Sequence, residues 1–210
     1  LVVPSAVTGG VLCAVRAAAT RDPRLAVAVE GAEAGRIAQY LAGVPELLRR
    51  YRTATAPARA VLDTAIDARR LGHPVYLPAA LLREAALGYL CEADRFDLLN
   101  RHGPRWFDHV IDDLSRPQLG IPGPLTRTDD PDVLRLTDAI EQTGTISRAG
   151  MFPPPHFWDA VAATVTDHTV LTALGRHAAH RCRYPRAAHL YRLAAERGST
   201  TALHALARLR

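Results

Sequence analysis

Zinc takes His and Cys ligands, and the sequence offers His177, His180 and Cys182 in an H-x2-H-x-C spacing, with His189 close behind. On a helix, His177 and His180 are neighbours while Cys182 points elsewhere. The set therefore reads as solvated or groove-lining side chains, and no metal is expected. Paired carboxylates can do acid–base work, and two acidic sets stand out: Asp112-Asp113, and Asp129, Asp130 and Asp132. Adjacent helical residues do not face each other, and the second set surrounds Pro131 with turn chemistry. Arg49, Arg50 and Arg52 could hold a phosphate, but they fall at a helix C-terminus, where positive charge suits the dipole. All 26 Lys and Arg residues are arginine. A Walker-type lysine, a Schiff-base lysine and a kinase nucleotide lysine are therefore excluded for this chain. No G-x-S-x-G, H-E-x-x-H or Gly-rich phosphate loop occurs. The expectation is a chain with no catalytic, cofactor or metal residue of its own, and hence not an enzyme by itself.

Charge points to binding instead. Residues 171–210 hold eight arginines and one acid, Glu196, a net of +7. Residues 1–170 hold 18 arginines against 20 acids, a net of −2. A basic face of that size attracts nucleic acid or an acidic protein. Arg176, His180, Arg183, Arg186 and Arg192 are the candidate partner-binding residues. No aromatic stacking platform is interleaved with them, which favours a protein partner over a nucleic acid. Cys13, Cys91 and Cys182 are far apart and odd in number, so no disulfide framework is expected and a reducing, cytoplasmic setting suits the chain. No apolar run reaches the ~18 residues of a membrane span. The first residue is Leu1, and Ala202 to Arg210 continue a helical pattern with no stop signal. The chain reads as a segment of a longer protein.

These side chains must be positioned by helices. Ala and Leu dominate the composition, and both favour helix. Residues 1–53 form a helical region: Val11 to Ala19, a helix opened by Asp22-Pro23, one carrying Ile37, Tyr40 and Leu41 and ended near Gly43, and one opened by Pro45. Residues 55–143 form a second helical unit. Val61, Leu62, Ala65 and Ile66 mark its first helix, broken at Gly72-His73-Pro74. Pro78 opens another, ended by Gly88, and Glu92 to Asn100 and Pro104 to Ser115 follow. The last presents Phe107, Val110, Ile111 and Leu114 on one face. Leu125–Thr128 and Val133–Leu136 alternate apolar and polar residues around an Asp-rich turn, as in a β-hairpin; alternatively Asp130 caps a helix with Pro131 at its first position. A helix from Thr137 to Gln142 is ended by Gly144. Residues 144–156 are a linker stiffened by Pro153-Pro154-Pro155, and residues 157–210 are again helical.

Leu171, Leu174, Gly175, Ala178, Ala187, Tyr191 and Ala194 fall at the spacings of one tetratricopeptide unit. Ala187 to Gly198, continued by Ala202 to Ala207, also looks like the shorter Sel-type repeat. Leu203, Ala205, Leu206 and Arg208 echo Leu171, Ala173, Leu174 and Arg176 at a spacing of 32. The phrases Gln39–Tyr51 (QYLAGVPELLRRY), Ala65–Gly72 (AIDARRLG) and Gly123–Arg127 (GPLTR) resemble large actinobacterial ATP-binding regulatory proteins. In such signal-transduction NTPases a nucleotide domain precedes a helical region, a winged-helix-like domain and helical repeats. The resemblance implies an all-α fold with a winged-helix-like unit over 55–143, possessing at most one small hairpin, and repeats over 157–210. It implies a non-catalytic regulatory and protein-interaction segment, with the NTPase domain upstream as one partner and an unnamed protein as another. The Met-His-Asp motif of related NTPases, whose His touches bound ADP, corresponds to Leu136-Thr137-Asp138 here, without the His. A winged-helix unit also raises a nucleic-acid-binding reading, a transcription regulator using that unit and the basic tail. Its candidate recognition helix, Pro104 to Ser115, carries Arg105 against Asp108, Asp112 and Asp113, the wrong sign for phosphate.

Overall fold

Helix α4 (Ala56–Arg70) is the axis of the structure. Thr55 enters it in an extended conformation, Pro57 stands in its first turn, and an Ala-rich run sustains it. Ala58, Val61, Leu62, Ala65 and Ile66 lie buried on one face, and Ala60, Thr64, Asp67 and Ala68 are buried beside them. A helix buried nearly all round is surrounded by others. The structure, a computed structural model, describes residues 9–31, 43–118 and 120–209. Helices α1 (Gly9–Ala19) and α2 (Pro23–Gly31) pack on each other. The expected helix around Ile37, Tyr40 and Leu41 lies outside the described residues. Helix α3 (Val44–Arg52) starts from Gly43 in the left-handed conformation and buries Leu47 and Tyr51.

Strand β1 (Tyr76–Pro78) leads into α5 (Ala79–Ala86) and a 3-10 turn, Leu87–Tyr89. Helices α6 (Glu92–His102) and α7 (Trp106–Ser115) follow, joined by a 3-10 turn over 103–105. Phe107, Ile111 and Leu114 of α7 are buried. Strands β2 (Leu125–Arg127) and β3 (Val133–Leu136) form an antiparallel hairpin. The Asp130 carboxylate accepts the Asp132 N–H at 2.9 Å, so this acidic set builds the turn and caps no helix. The sheet order is β1-β3-β2, with Leu77 opposite Leu134 and Leu125 opposite Leu136.

The fold is mostly helical, as the composition implies, with one small sheet among the described residues. That sheet has a third strand, β1, where the sequence pattern suggests a hairpin alone. Pro78 does introduce a helix, but by ending a strand against Val133.

Two further expectations are corrected. Gly144 does not end a helix; α8 runs from Asp138 to Ser147 with Gly144 buried inside it. A Cβ there would stand 2.5 Å from Cδ1 of Ile66, so glycine permits α8 to approach α4. Residues 144–156 are also not a bare linker. Arg148 is buried against α4, Phe152 stacks on Trp158, and the indole N–H of Trp158 donates to the Pro153 carbonyl at 3.2 Å. Helix α9 (Pro155–Thr164) then packs on α5. One buried apolar cluster consequently runs from Leu47 to Ala202. Helices α10 (His168–His180), α11 (Tyr184–Glu196) and α12 (Thr200–Arg208) close the fold as a serial stack. Among the described residues no helix is long and apolar enough to cross a membrane.

Candidate functional site

Each of the last three helices begins on a defined cap or turn. Asp167 caps α10, its carboxylate accepting the Thr169 N–H at 2.7 Å and also the Thr169 hydroxyl. Those hydrogen bonds hold Asp167 below the usual carboxylate range. Ser199 caps α12, accepting the Ala202 N–H at 3.1 Å. Cys182, at φ 57°, turns the chain from α10 into α11. Helices α10 and α11 pack closely because Gly175 has no side chain: a Cβ there would stand 2.8 Å from the Tyr191 ring. Short turns near 182 and 198 join α10 to α11 and α11 to α12, and each joined pair packs together.

Between α10 and α12 lies a groove of about 800 Å³. Its cationic and polar lining includes Arg176, Arg208, His168, His180, His204 and Thr201. None of its fifteen lining residues is Asp or Glu. Arg176 and Arg208 form no ion pair or hydrogen bond with any described residue. Thr172 bonds the His168 carbonyl at 2.6 Å and lies 3.0 Å from the Ser199 hydroxyl, which ties the two helices at the groove floor. The groove is thus an open surface of cationic and hydroxyl donors without a carboxylate to satisfy them.

The five predicted partner-binding residues do not form one site. Arg176 and His180 line the groove. Arg183 and Arg186 line a separate cleft of about 450 Å³ with Phe152, Pro153, Pro155 and Trp158. There the Arg183 guanidinium stands 4.8 Å from the Phe152 ring centre, and Arg186 is paired with Asp159. Arg192 is exposed on α11 and lines neither cavity. The zinc-like set does not converge either: among the described residues no three His, Cys, Asp or Glu side chains could hold a metal ion. His177 turns towards Gly72; burial, with the charges of Arg181 and Arg176, lowers its pKa and keeps the ring neutral. Arg49 pairs with Glu46 at 2.6 Å, while Arg50 donates to the Asp113 and Arg116 carbonyls at 3.1 Å. Arg49 and Arg50 are thus engaged at helix ends, and Arg52 is exposed at the end of α3.

Sequence reasoning missed Arg208, His168, His204 and Thr201 as groove residues, although Arg208 was legible as the echo of Arg176. It also missed a buried charge cluster. The Asp67 carboxylate, 0% exposed, accepts two hydrogen bonds from Arg148 at 2.8 Å, one from Arg70 at 2.7 Å and one from the Tyr89 hydroxyl at 2.7 Å. Burial pushes its pKa up, but Arg148 and Arg70 outweigh burial and hold it below the ordinary value. Arg148 also reaches Asp63 at 2.9 Å, and Asp63 accepts the Tyr51 hydroxyl at 2.6 Å. Burial and that carboxylate push Tyr51 up to about 12. The cluster joins α3, α4, the 3-10 turn ending at Tyr89 and the end of α8, with the Arg70 Nη1 as a buried donor lacking an acceptor. Its chemistry is that of a structural tie.

Compared with protein-family models, curated proteins and solved structures, the chain matches none.

Proposed function

We propose that this chain is a regulatory, protein-interaction segment of a larger NTPase-type signalling protein, and that an acidic protein docks in the α10–α12 groove. The observation that carries this reading is the groove lining: two unpaired arginines and three histidines with no carboxylate among fifteen residues. Opposite charge across an interface steers encounter and sets register. The winged-helix-like reading of 55–143 draws support from its element order. Helix α4, strand β1, helices α5, α6 and α7 and the β2–β3 hairpin follow in sequence, and β3 pairs with both other strands. The repeat reading of 157–210 draws support from the α10–α11 hairpin closed over Gly175.

A protein partner fits better than a nucleic acid. On α7 the Asp108 and Asp112 side chains are 63% and 62% exposed, and the hairpin's Arg127 is paired with Asp112 at 2.6 Å. That surface repels phosphate. The test is fluorescence anisotropy on the 1–210 chain with a labelled Asp/Glu-rich peptide and, separately, a mixed-sequence oligonucleotide. The peptide should bind, and Arg176→Glu with Arg208→Glu should abolish its binding. Tighter binding of the oligonucleotide, with affinity falling steeply in salt, would overturn the reading in favour of a nucleic-acid module.

A further inference from the structure

A cleft of about 480 Å³ is lined by the start of α4 and by helices α6 and α7, which pack on each other. Small-molecule sites span about 300–1,000 Å³. Pro57, Ala58, Leu98, Trp106 and Val110 supply an apolar wall. Three carboxylates, Asp94, Asp97 and Asp113, stand against one guanidinium, Arg101. Asp97 is engaged with Arg101 at 2.9 Å. The Asp94 and Asp113 carboxylates make no hydrogen bond or ion pair with any described residue. Asp94 suits the first turn of α6, but Asp113 lies in the last turn of α7, where the helix dipole disfavours negative charge. Arg50 reaches only the Asp113 carbonyl, at 3.1 Å.

A separate observation points to a ligand. Trp106 is 3% exposed, yet its indole N–H donates to no described residue, whereas the N–H of Trp158 reaches the Pro153 carbonyl at 3.2 Å. A buried indole ordinarily finds an acceptor. The Trp106 nitrogen is not sealed in the core, and the opening that Trp106 lines is this cleft. His102 and His109, with ring centres 5.4 Å apart, line the same cleft from either side of the 103–105 turn. An unsatisfied donor, two unsatisfied carboxylates and an apolar wall therefore share one opening.

We infer that this cleft binds a small organic amine that also carries a hydrogen-bond acceptor and an apolar group. Its ammonium meets the Asp94 and Asp113 carboxylates, its acceptor oxygen takes the Trp106 N–H, and its apolar group lies against Leu98, Val110 and Pro57. An ammonium has three donors and no acceptor, so the indole must be answered by a second group on the same molecule. Anions are disfavoured: with Asp97 offset by Arg101, the lining keeps two uncompensated negative charges. An inorganic cation would answer the carboxylates but leave the indole N–H unbonded, and no three ligands converge on a metal among the described residues.

The experiment titrates the ¹⁵N-labelled 1–210 chain with leucinamide at about pH 7, below the ~8 at which an α-ammonium loses its proton. The chain has two tryptophans, so its NMR spectrum has two indole N–H peaks, assigned by Trp106→Phe or Trp158→Phe. The Trp106 peak should move and saturate with a Kd of about 1 mM or below, while the Trp158 peak stays in place. Isocaproamide, which lacks only the ammonium, should bind about tenfold more weakly, and Asp94→Asn and Asp113→Asn should each weaken leucinamide about fivefold. Isoamylamine, which lacks the amide, should leave the Trp106 peak nearly unmoved. Glu84→Gln, the same charge change on the exposed surface of α5, should leave binding intact. Helical circular dichroism confirms that each variant is folded. A Trp106 peak that leucinamide does not move overturns the inference. So does equal binding of leucinamide and isocaproamide, or wild-type affinity in both Asp variants.

Discussion

Replacing Asp67 with Asn tests whether the buried charge cluster holds α4 to the chain beyond α8. Asp67 is fully buried, accepts four hydrogen bonds, and faces two guanidinium groups whose side chains are 2% and 11% exposed. Asn keeps the shape but removes the charge, and its amide turns one acceptor into a donor aimed at arginine. Arg148 and Arg70 are then buried with too few acceptors, and the Arg70 Nη1 already has none. Breaking a buried pair from one side costs about 3–5 kcal/mol. For a domain of marginal stability that is a large share of the total. Urea denaturation of 1–210 followed by circular dichroism should show a lower midpoint with an unchanged slope. The pH dependence adds an independent check. Because the folded pKa of Asp67 lies below its unfolded value of about 3.8, its stabilisation is present above that value. It is lost as pH falls towards the folded pKa, so the wild type should lose stability more steeply in acid than the Asn variant. An Asp67→Asn midpoint within about 0.5 kcal/mol of wild type would refute the reasoning, because an unpaired buried charge cannot be that cheap.

Two other outcomes follow from the same packing. Gly144→Ala should destabilise by about 1–3 kcal/mol through overpacking on Ile66, and Ile66→Ala in the same chain should relieve it, since Cδ1, Cγ1 and Cγ2 of Ile66 all crowd the added Cβ; thermal melts of both single variants and the double should show a less than additive loss. Tyr51, pushed up to about 12, should make stability fall as pH rises from its ordinary value near 10 towards 12, and Tyr51→Phe should reduce that alkaline sensitivity in urea titrations at fixed pH, with Tyr89, raised by burial and by Asp67, keeping a share. A Tyr51→Phe chain as alkali-sensitive as wild type would place the titration elsewhere.

Much of the helical framework was legible because its signals are local. Pro57 at a first turn and the face of Phe107, Ile111 and Leu114 each act within a few residues, whereas the Asp130 segment reads equally as a hairpin turn or a helix cap, and only the pairing of β2 with β3 decides for the turn. The small residue at Gly175 and the 32-residue echo of Arg176 in Arg208 were also readable, since spacing alone carries them. What escaped depends on partners distant in sequence. Strand β1 has three residues, too few to show a period, and exists only because β3 supplies its hydrogen bonds. Gly144 reads as a helix end by composition but is retained inside α8 because Ile66 leaves no room for a methyl. Asp67 and Arg148 are 81 positions apart, and nothing near either one announces the other. Of the basic tail, the sequence by itself determined the charge and the 32-residue echo of Arg176 in Arg208. Only the tertiary structure decided which cations are free: Arg186 faces Asp159 and Arg183 lies over Phe152, while Arg176 and Arg208 line one open groove with no carboxylate in its lining. Net charge is additive along a chain, but the pairing of charges depends on distances that only packing sets.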